Sequence, residues 1–125
     1  MEMPMDLTEV KLRRKDVFEG KIMTVHVDDV RLPNGEEATR EVVDHVDGAA
    51  VLAMDEENRV LVVRQYRYVF GKVLAELPAG KLDPDEFLNV ERVPFDEMVH
   101  RCVNGEIDDA KTVAAVLRAK VLLNL

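Results

Sequence analysis

Two arginines, Arg64 and Arg67, stand at the end of a run rich in β-branched residues, in the sequence Arg-Gln-Tyr-Arg-Tyr. Guanidinium groups bind phosphate oxygens through paired hydrogen bonds and stack on aromatic rings. With Tyr66 and Tyr68 beside them, these arginines could therefore hold a phosphate or stack on a nucleobase. A solvated strand end would have the same composition, so the sequence leaves both interpretations open.

A second candidate is Glu76, which stands in a short apolar run and precedes Pro78, Ala79 and Gly80. A carboxylate in a buried strand costs free energy unless it is paired. A glycine in the bend that follows lets the backbone approach a ligand closely. This segment is interpreted either as part of a binding site or as a packed strand that ends in a bend.

The common catalytic templates are absent from the sequence. There is no Gly-x-Ser-x-Gly elbow, Walker loop, Gly-x-Gly-x-x-Gly fingerprint or His-Glu-x-x-His motif. His26, His45 and His100 are scattered, and we expect them at the surface or at strand edges. Cys102 is the only cysteine, which excludes an internal disulfide and a cysteine-based zinc site. Its place on the apolar face of a predicted helix indicates a buried structural thiol.

The length of 125 residues favours one domain, and 17 basic against 25 acidic residues give a net charge of −8. An acidic surface repels phosphate backbones, so no nucleic-acid partner is expected. No apolar run approaches the ~18–20 residues that span a bilayer. The first ten residues also lack the basic-then-apolar form of a signal peptide. We therefore expect a cytoplasmic protein with no membrane partner.

Hydrophobic patterning predicts strands first and helices last, which indicates an α+β fold. Asn34-Gly35 predicts a hairpin turn between residues 21–32 and 36–45, with a β-bulge at Val27-Asp28. Further strands are predicted over residues 48–54, 59–66 and 73–77. Two helices are predicted, one from Pro94 to the stop at Asn104-Gly105 and one over residues 110–123 with Asp108 or Asp109 as its cap.

Two terminal helices are too few to cover both faces of so apolar a sheet. The chain on its own is short of one covering element. We therefore expect either an oligomer, with an obligate homodimer as the first choice, or a missing element.

The strings over residues 40–45, 60–67 and 76–80, followed by 85–87 and 105–112, resemble the Nudix hydrolases in the family's order. The resemblance is closest to the ADP-ribose pyrophosphatase branch, which hydrolyses nucleoside diphosphate sugars. It implies a single Nudix-like α+β domain over residues 1–125 with a mixed or antiparallel sheet. Within it, residues 1–47 form a β-hairpin and dimerisation region, 48–92 a shortened core sheet and 93–125 the two C-terminal helices.

The resemblance also implies an activity and its residues. The family hydrolyses ADP-ribose to AMP and ribose 5-phosphate with Mg²⁺ or Mn²⁺, as a homodimer in which the N-terminal hairpin region often crosses to the partner. By matched position, Arg40 and Glu41 contact the substrate and Arg67 reaches its diphosphate. The carbonyl of Ala79 is a metal ligand, and Glu86 is the candidate catalytic base. The family also stacks an aromatic ring on the adenine near residues 21–22, where this chain has none.

The sequence departs from the Nudix box. Gly80 and Glu86 fit its opening G-x5-E, but Pro94 and Phe95 stand where arginine and glutamate should be, and Arg-Glu-x-x-Glu-Glu occurs nowhere. Those glutamates would converge on the metal ions from one helix face. A second alignment places Glu86 in the family's later loop, so that several dozen residues are absent after Gly80.

These departures predict an internally shortened chain with impaired hydrolysis. One alternative is a non-catalytic dimeric remnant that binds a nucleotide or a protein. Another is that the natural protein has a segment that this sequence lacks.

Overall fold

A computed structural model describes residues 1–125, and it has the α+β fold that the sequence predicts. The strands and helices follow one another along the chain in that order: β1 (Val10–Glu19), β2 (Met23–Arg31), β3 (Glu37–His45), β4 (Arg59–Arg67), β5 (Lys72–Glu76), β6 (Leu88–Pro94), α1 (Phe95–Val103) and α2 (Ala110–Leu122).

The chain forms two compact units, unit 1 (Met1–Asp47) and unit 2 (Gly48–Leu125). Unit 1 is a three-stranded sheet in the order β1-β2-β3, and unit 2 contains a three-stranded sheet in the order β5-β4-β6 together with both helices. All strand pairs are antiparallel. The single domain over 1–125 stays a prediction.

The hairpin of unit 1 confirms its predicted turn. The strands β2 and β3 pair in unbroken register from Met23 opposite His45 to Arg31 opposite Glu37. Gly35 has φ +88°, a left-handed conformation that favours glycine. The turn closes because the Gly35 amide donates to the carbonyl of Leu32 at 2.9 Å.

The prediction of a β-bulge at Val27-Asp28 is wrong, because β2 pairs there with both neighbouring strands in unbroken register. The irregularities lie in β1 instead, between Lys11 and Arg13 and between Asp16 and Phe18. These shifts interrupt the two-residue period of β1, which is why the sequence pattern did not reveal this strand.

His26 is also not where it was expected, because it is buried in unit 1 while His45 and His100 are exposed. Its Nδ1 lies 2.8 Å from a carboxylate oxygen of Asp28, and its Nε2 lies 3.1 Å from one of Asp44. Residues two apart on one strand share a face, and the next strand brings the second carboxylate. Pairing with these carboxylates permits burial of the ring.

Unit 2 is built around a core between its sheet and its helices. The core consists of side chains from β4, β6, both helices and the segments between them: Val60, Val62, Leu77, Val93, Phe95, Met98, Cys102, Ile107 and Val116. Cys102 is buried there as predicted, and burial raises the pKa of its thiol.

Two segments of unit 2 differ from their predictions. Residues 48–54 do not form a strand; they make only single bridges, Ala50 with Ala79 and Met54 with Val60. The strand β6 was not predicted, because its sequence contains charged residues and ends at a proline. The apolar pattern therefore did not predict these strands correctly. Strand formation also depends on whether a neighbouring strand offers free backbone amide and carbonyl groups.

The helices begin and end at the predicted signals. Helix α1 follows Pro94 and stops at Asn104, and Gly105 takes φ +74°. Asp109 caps α2, because its carboxylate accepts a hydrogen bond from the Thr112 amide at 2.9 Å. Neither helix has the length and apolar character required to cross a bilayer.

Two valines of α2 provide a matched test of the core. Val116 is fully buried, whereas Val121 is 78% exposed. Val116→Ala removes buried methyl groups and leaves a void, so we expect it to lower the free energy of unfolding by about 2 kcal/mol. Val121→Ala should change it by less than about 0.5 kcal/mol. Urea denaturation measures both, and equal losses would contradict this core.

Candidate functional site

An ion pair between β4 and β5 forms the centre of the candidate site. Arg67 donates from Nε to Oε2 of Glu76 at 2.7 Å and from Nη2 to Oε1 at 3.0 Å. The Glu76 side chain is 4% exposed and the Arg67 side chain is 37% exposed. The hydrogen bonds that Arg67 donates to Glu76 outweigh the opposing effect of burial and raise the pKa of Arg67. The guanidinium is thus charged, fixed in orientation and still open to solvent.

The pair lines a cavity of about 830 Å³ in unit 2, within the usual size range of small-molecule sites. Its lining combines the end of β4 and the turn after it, β5, the loop before β6 and the start of α2: residues 65–70, Leu74, Glu76, residues 85–87 and residues 108–111. Arg67 and Glu86, which the sequence analysis assigned to one site, therefore line one cavity.

Glu86 is held by its own loop. Its amide donates to the carbonyl of Asp83 at 3.0 Å, and its Oε2 accepts a hydrogen bond from the Asp83 amide at 2.9 Å. Its negative charge contributes to the raised pKa of Arg67, after the larger effect of Glu76. This carboxylate could accept a proton or a hydrogen bond from a ligand in the cavity.

A chain of hydrogen bonds joins the end of β5 to the start of α2. The Leu77 amide donates to Oγ1 of Thr112 at 2.9 Å, and this hydroxyl donates to Asp109 at 2.6 Å. Burial opposes ionisation of Asp109, but the hydrogen bonds from Thr112 and Lys111 outweigh it and lower the pKa of this carboxyl. The sequence analysis identified Asp109 as a possible cap but missed its place at the cavity.

The other predicted site residues lie elsewhere. Arg40 is on β3 in unit 1 and forms an ion pair with Glu9, with Nη2 2.6 Å from Oε1. Glu41 is exposed on the same strand, opposite Val27. Ala79 is exposed and forms the bridge to Ala50; it does not line the cavity. The roles that the resemblance gives to these three residues stay predictions.

The position of Arg64 decides for this residue between a ligand-binding role and a solvated strand end. It lies on β4 and its Nε is 3.2 Å from a carboxylate oxygen of Glu91 on β6. It does not line the cavity. Arg64 is therefore the solvated strand residue of the pair, and Arg67 is the one placed at a cavity.

The donor set in this chain does not fit a divalent metal ion. No three or more His, Cys, Asp or Glu side chains are grouped so that they could hold one. Glu76 is bound by Arg67, and Asp109 is bound by Thr112 and Lys111. Hard cations require several oxygen ligands converging on one point, and these carboxylates are already used.

Comparison with known proteins confirms the predicted resemblance. Residues 9–43 match the family model described as the nucleoside diphosphate sugar hydrolase N-terminal domain. Over 80 residues the chain is 39% identical to an ADP-ribose pyrophosphatase of Bacillus subtilis (strain 168), covering 64% of this chain and 43% of the relative. Over 64 residues it is 47% identical to an ADP-ribose pyrophosphatase of Mycobacterium tuberculosis (strain ATCC 25618 / H37Rv), covering 51% of this chain and 31% of the relative.

A further relative is a methanol dehydrogenase activator of Bacillus methanolicus, 41% identical over 78 residues, with 62% of this chain and 42% of the relative covered. The chain spans less than half the length of the curated relatives it matches. The crystal structure of an ADP compounds hydrolase has the same fold, with a TM-score of 0.77 over 98% of this chain and 97% of that chain at 13% identity. The chain is thus similar to proteins named ADP-ribose pyrophosphatase over part of its length, and it shares the fold of an ADP compounds hydrolase.

The cap of α2 predicts a pH dependence. The lowered pKa of Asp109 means that its carboxylate stabilises the folded chain above the pKa of an ordinary aspartate, about 3.9. This contribution is lost as the pH falls through the lowered pKa. The free energy of unfolding is compared at about pH 6 and about pH 2. We expect its decrease between these two pH values to be smaller in Asp109→Asn than in the unmodified chain.

Urea denaturation at both pH values measures this loss. Asp96→Asn is the control, because the Asp96 side chain is 89% exposed on α1. It should lose as much as the unmodified chain. An Asp109→Asn variant with an equally large loss would contradict the role of this carboxylate.

Proposed function

We propose that this chain binds a nucleoside diphosphate sugar such as ADP-ribose in the cavity of unit 2, with the diphosphate at Arg67, and that it does not by itself hydrolyse the ligand. The observation that carries the proposal is the guanidinium of Arg67, which is fixed by the buried Glu76 and remains partly exposed at a cavity of ligand size. The names of its relatives support the choice of ligand.

The fixed guanidinium favours binding for an energetic reason. A free arginine loses side-chain entropy when it grips an anion, whereas Arg67 is already ordered by two hydrogen bonds to Glu76. An arginine has more N–H donors than these two, so donors remain for phosphate oxygens. Charge-assisted hydrogen bonds of this kind are about twice as strong as neutral ones.

The proposal that hydrolysis is lost rests on the donor set. Breaking a diphosphate at neutral pH requires an activated water, which a metal ion commonly supplies. Glu86 could take a proton from that water, but it has no partners for a metal cluster in this chain. Binding and catalysis are separable, because only interactions that strengthen in the transition state raise the rate.

Hydrolysis is the second candidate function. Two relatives are named ADP-ribose pyrophosphatase, and Glu86, the candidate base, lines the same cavity as Arg67. Release of AMP from ADP-ribose with Mg²⁺ distinguishes the two candidates. A rate above the protein-free blank that disappears in Glu86→Gln would replace the first candidate with the second.

Binding is measured by calorimetry with ADP-ribose, with and without Mg²⁺. We expect metal-independent binding that weakens at least about 10-fold in Arg67→Ala, which corresponds to about 1.4 kcal/mol. Arg64→Ala is the matched control, since Arg64 lies on the same strand and also pairs with a glutamate, but away from the cavity. It should bind as tightly as the unmodified chain.

Arg67→Ala leaves Glu76 buried without its partner, so its unfolding is measured in the same buffer. Arg67→Lys keeps the positive charge but not the paired hydrogen bonds, and we expect an intermediate affinity. No binding by the unmodified chain would refute the proposal. Unchanged binding by a folded Arg67→Lys or Arg67→Ala would refute the placement of the diphosphate.

We also propose that the chain is a homodimer. Unit 1 exposes several large apolar side chains on a sheet of only three strands, among them Val17, Phe18, Ile22 and Val43. Apolar patches beyond about 300–600 Å² are uncommon on monomers. Sedimentation at low micromolar concentration should give twice the mass of 14.2 kDa. A monomer under these conditions would contradict the proposal.

A further inference from the structure

Only two cationic side chains line the cavity of unit 2, and they come from different elements. Arg67 stands at the end of β4, and Lys111 stands at the start of α2. Each is held by a carboxylate that also lines the cavity. Arg67 donates two hydrogen bonds to Glu76 on β5, and Nζ of Lys111 donates to Oδ1 of Asp109 at 2.9 Å. The separation of the two cations therefore depends on what joins the end of β5 to the start of α2.

One buried hydroxyl makes that connection. Thr112 is fully buried, and its Oγ1 accepts a hydrogen bond from the Leu77 amide at 2.9 Å. Leu77 directly follows Glu76, so this bond fixes the backbone beside the carboxylate that holds Arg67. The same hydroxyl donates to Oδ2 of Asp109 at 2.6 Å. A change at Thr112 therefore reaches both cations, one through each carboxylate.

The hydroxyl of Thr112 cannot be replaced by an apolar group of the same shape. A hydroxyl has one proton to donate and lone pairs that accept, and both functions are used here. Valine would fill the same space, but it would leave the Leu77 amide without a partner. It would also remove one hydrogen bond from Asp109, whose side chain is only 11% exposed. Buried polar groups without partners cost free energy, so we expect the surrounding backbone to shift.

A diphosphate is the ligand group that two fixed cations suit. Each of its two phosphates carries negative charge, whereas a monophosphate offers a single phosphate group. Cations that are already held in place lose little entropy when they bind both phosphates together. They therefore favour a diphosphate over a monophosphate. A change in their separation should reduce this preference, because it affects binding to both phosphates more than binding to one.

We infer that Thr112 is a positioning residue, which holds Arg67 and Lys111 at the separation that binds the two phosphates of a diphosphate. The inference rests on the proposed function, because it takes the ligand to contain a diphosphate bound at Arg67. Thr112 does not itself line the cavity. It acts through Glu76 on one cation and through Asp109 on the other.

The first measurement needs no ligand. In an isotope-labelled chain, the Nε–H signal of Arg67 reports on its hydrogen bond to Glu76, and Arg67→Lys assigns the signal by removing it. We expect Thr112→Val to speed the exchange of this hydrogen with solvent at least about 5-fold, because exchange requires the hydrogen bond to open. Thr112→Ser keeps the hydroxyl, so the exchange should stay as slow as in the unmodified chain.

Val116→Ala is the matched control for a loss of stability alone. Val116 lies about one helical turn beyond Thr112 on α2 and is also fully buried, but it belongs to the apolar core and not to this network. Its truncation should destabilise the chain and leave the exchange of the Arg67 hydrogen unchanged. Urea denaturation in the same buffer establishes that both variants are folded under the conditions of the comparison.

The second measurement is calorimetry with ADP-ribose, which has two phosphates, and AMP, which has one. We expect Thr112→Val to weaken ADP-ribose binding at least about 10-fold and AMP binding no more than about 2-fold, because AMP needs only one of the cations. Lys111→Met removes the second cation and should have the same effect. Thr112→Ser and Val116→Ala should bind both ligands like the unmodified chain.

The outcomes separate this inference from the proposed function. If ADP-ribose binding depends on Arg67, but Thr112→Val leaves it unchanged or weakens ADP-ribose and AMP binding equally, the positioning role is wrong and the proposed function stands. If the unmodified chain does not bind ADP-ribose, the proposed function and the spacing for a diphosphate are both wrong. Unchanged exchange of the Arg67 hydrogen in Thr112→Val would overturn the positioning role without any ligand.

Discussion

The burial of Glu76 is the constraint on which the candidate site depends. A carboxylate in a strand that faces the interior is tolerated only with a partner that neutralises it, and removing one member of a buried ion pair costs about 3–5 kcal/mol. Arg67 meets this need with two hydrogen bonds. The same requirement fixes the guanidinium at the edge of a cavity, so a stabilising contact of the fold also prepares an anion-binding group.

The cap of α2 continues this arrangement into the helical part of unit 2. Thr112 accepts from the amide of Leu77, the residue directly after Glu76, and donates to Asp109. The end of β5 and the first turn of α2 are thereby held by one buried hydroxyl. Buried polar groups of this kind are stable only when each donor and acceptor is satisfied, and no buried side-chain polar atom in this structure lacks a partner.

The chain is similar to proteins named as hydrolases, but no three of its His, Cys, Asp or Glu side chains are grouped so that they could hold a metal ion. Two of its relatives are named ADP-ribose pyrophosphatase, and an ADP compounds hydrolase has the same fold. Two of the cavity carboxylates are engaged, because Glu76 pairs with Arg67 and Asp109 caps α2. Ligand recognition needs a few fixed groups around a cavity, whereas metal-assisted hydrolysis needs several free oxygen ligands together.

The sequence by itself determined the local features of this protein, because they depend on neighbouring residues. Asn34-Gly35 specified the hairpin, Asp109 was one of two predicted caps, and the sequence motifs indicated the similarity to ADP-ribose pyrophosphatases. Tertiary structure decided whatever depends on partners distant in the chain. Arg67 lines the cavity and Arg64 does not, because Arg67 pairs with Glu76 on β5 whereas Arg64 pairs with Glu91 on β6. Pairing across strands and the meeting of separate loops at one cavity are not encoded in any short window of sequence.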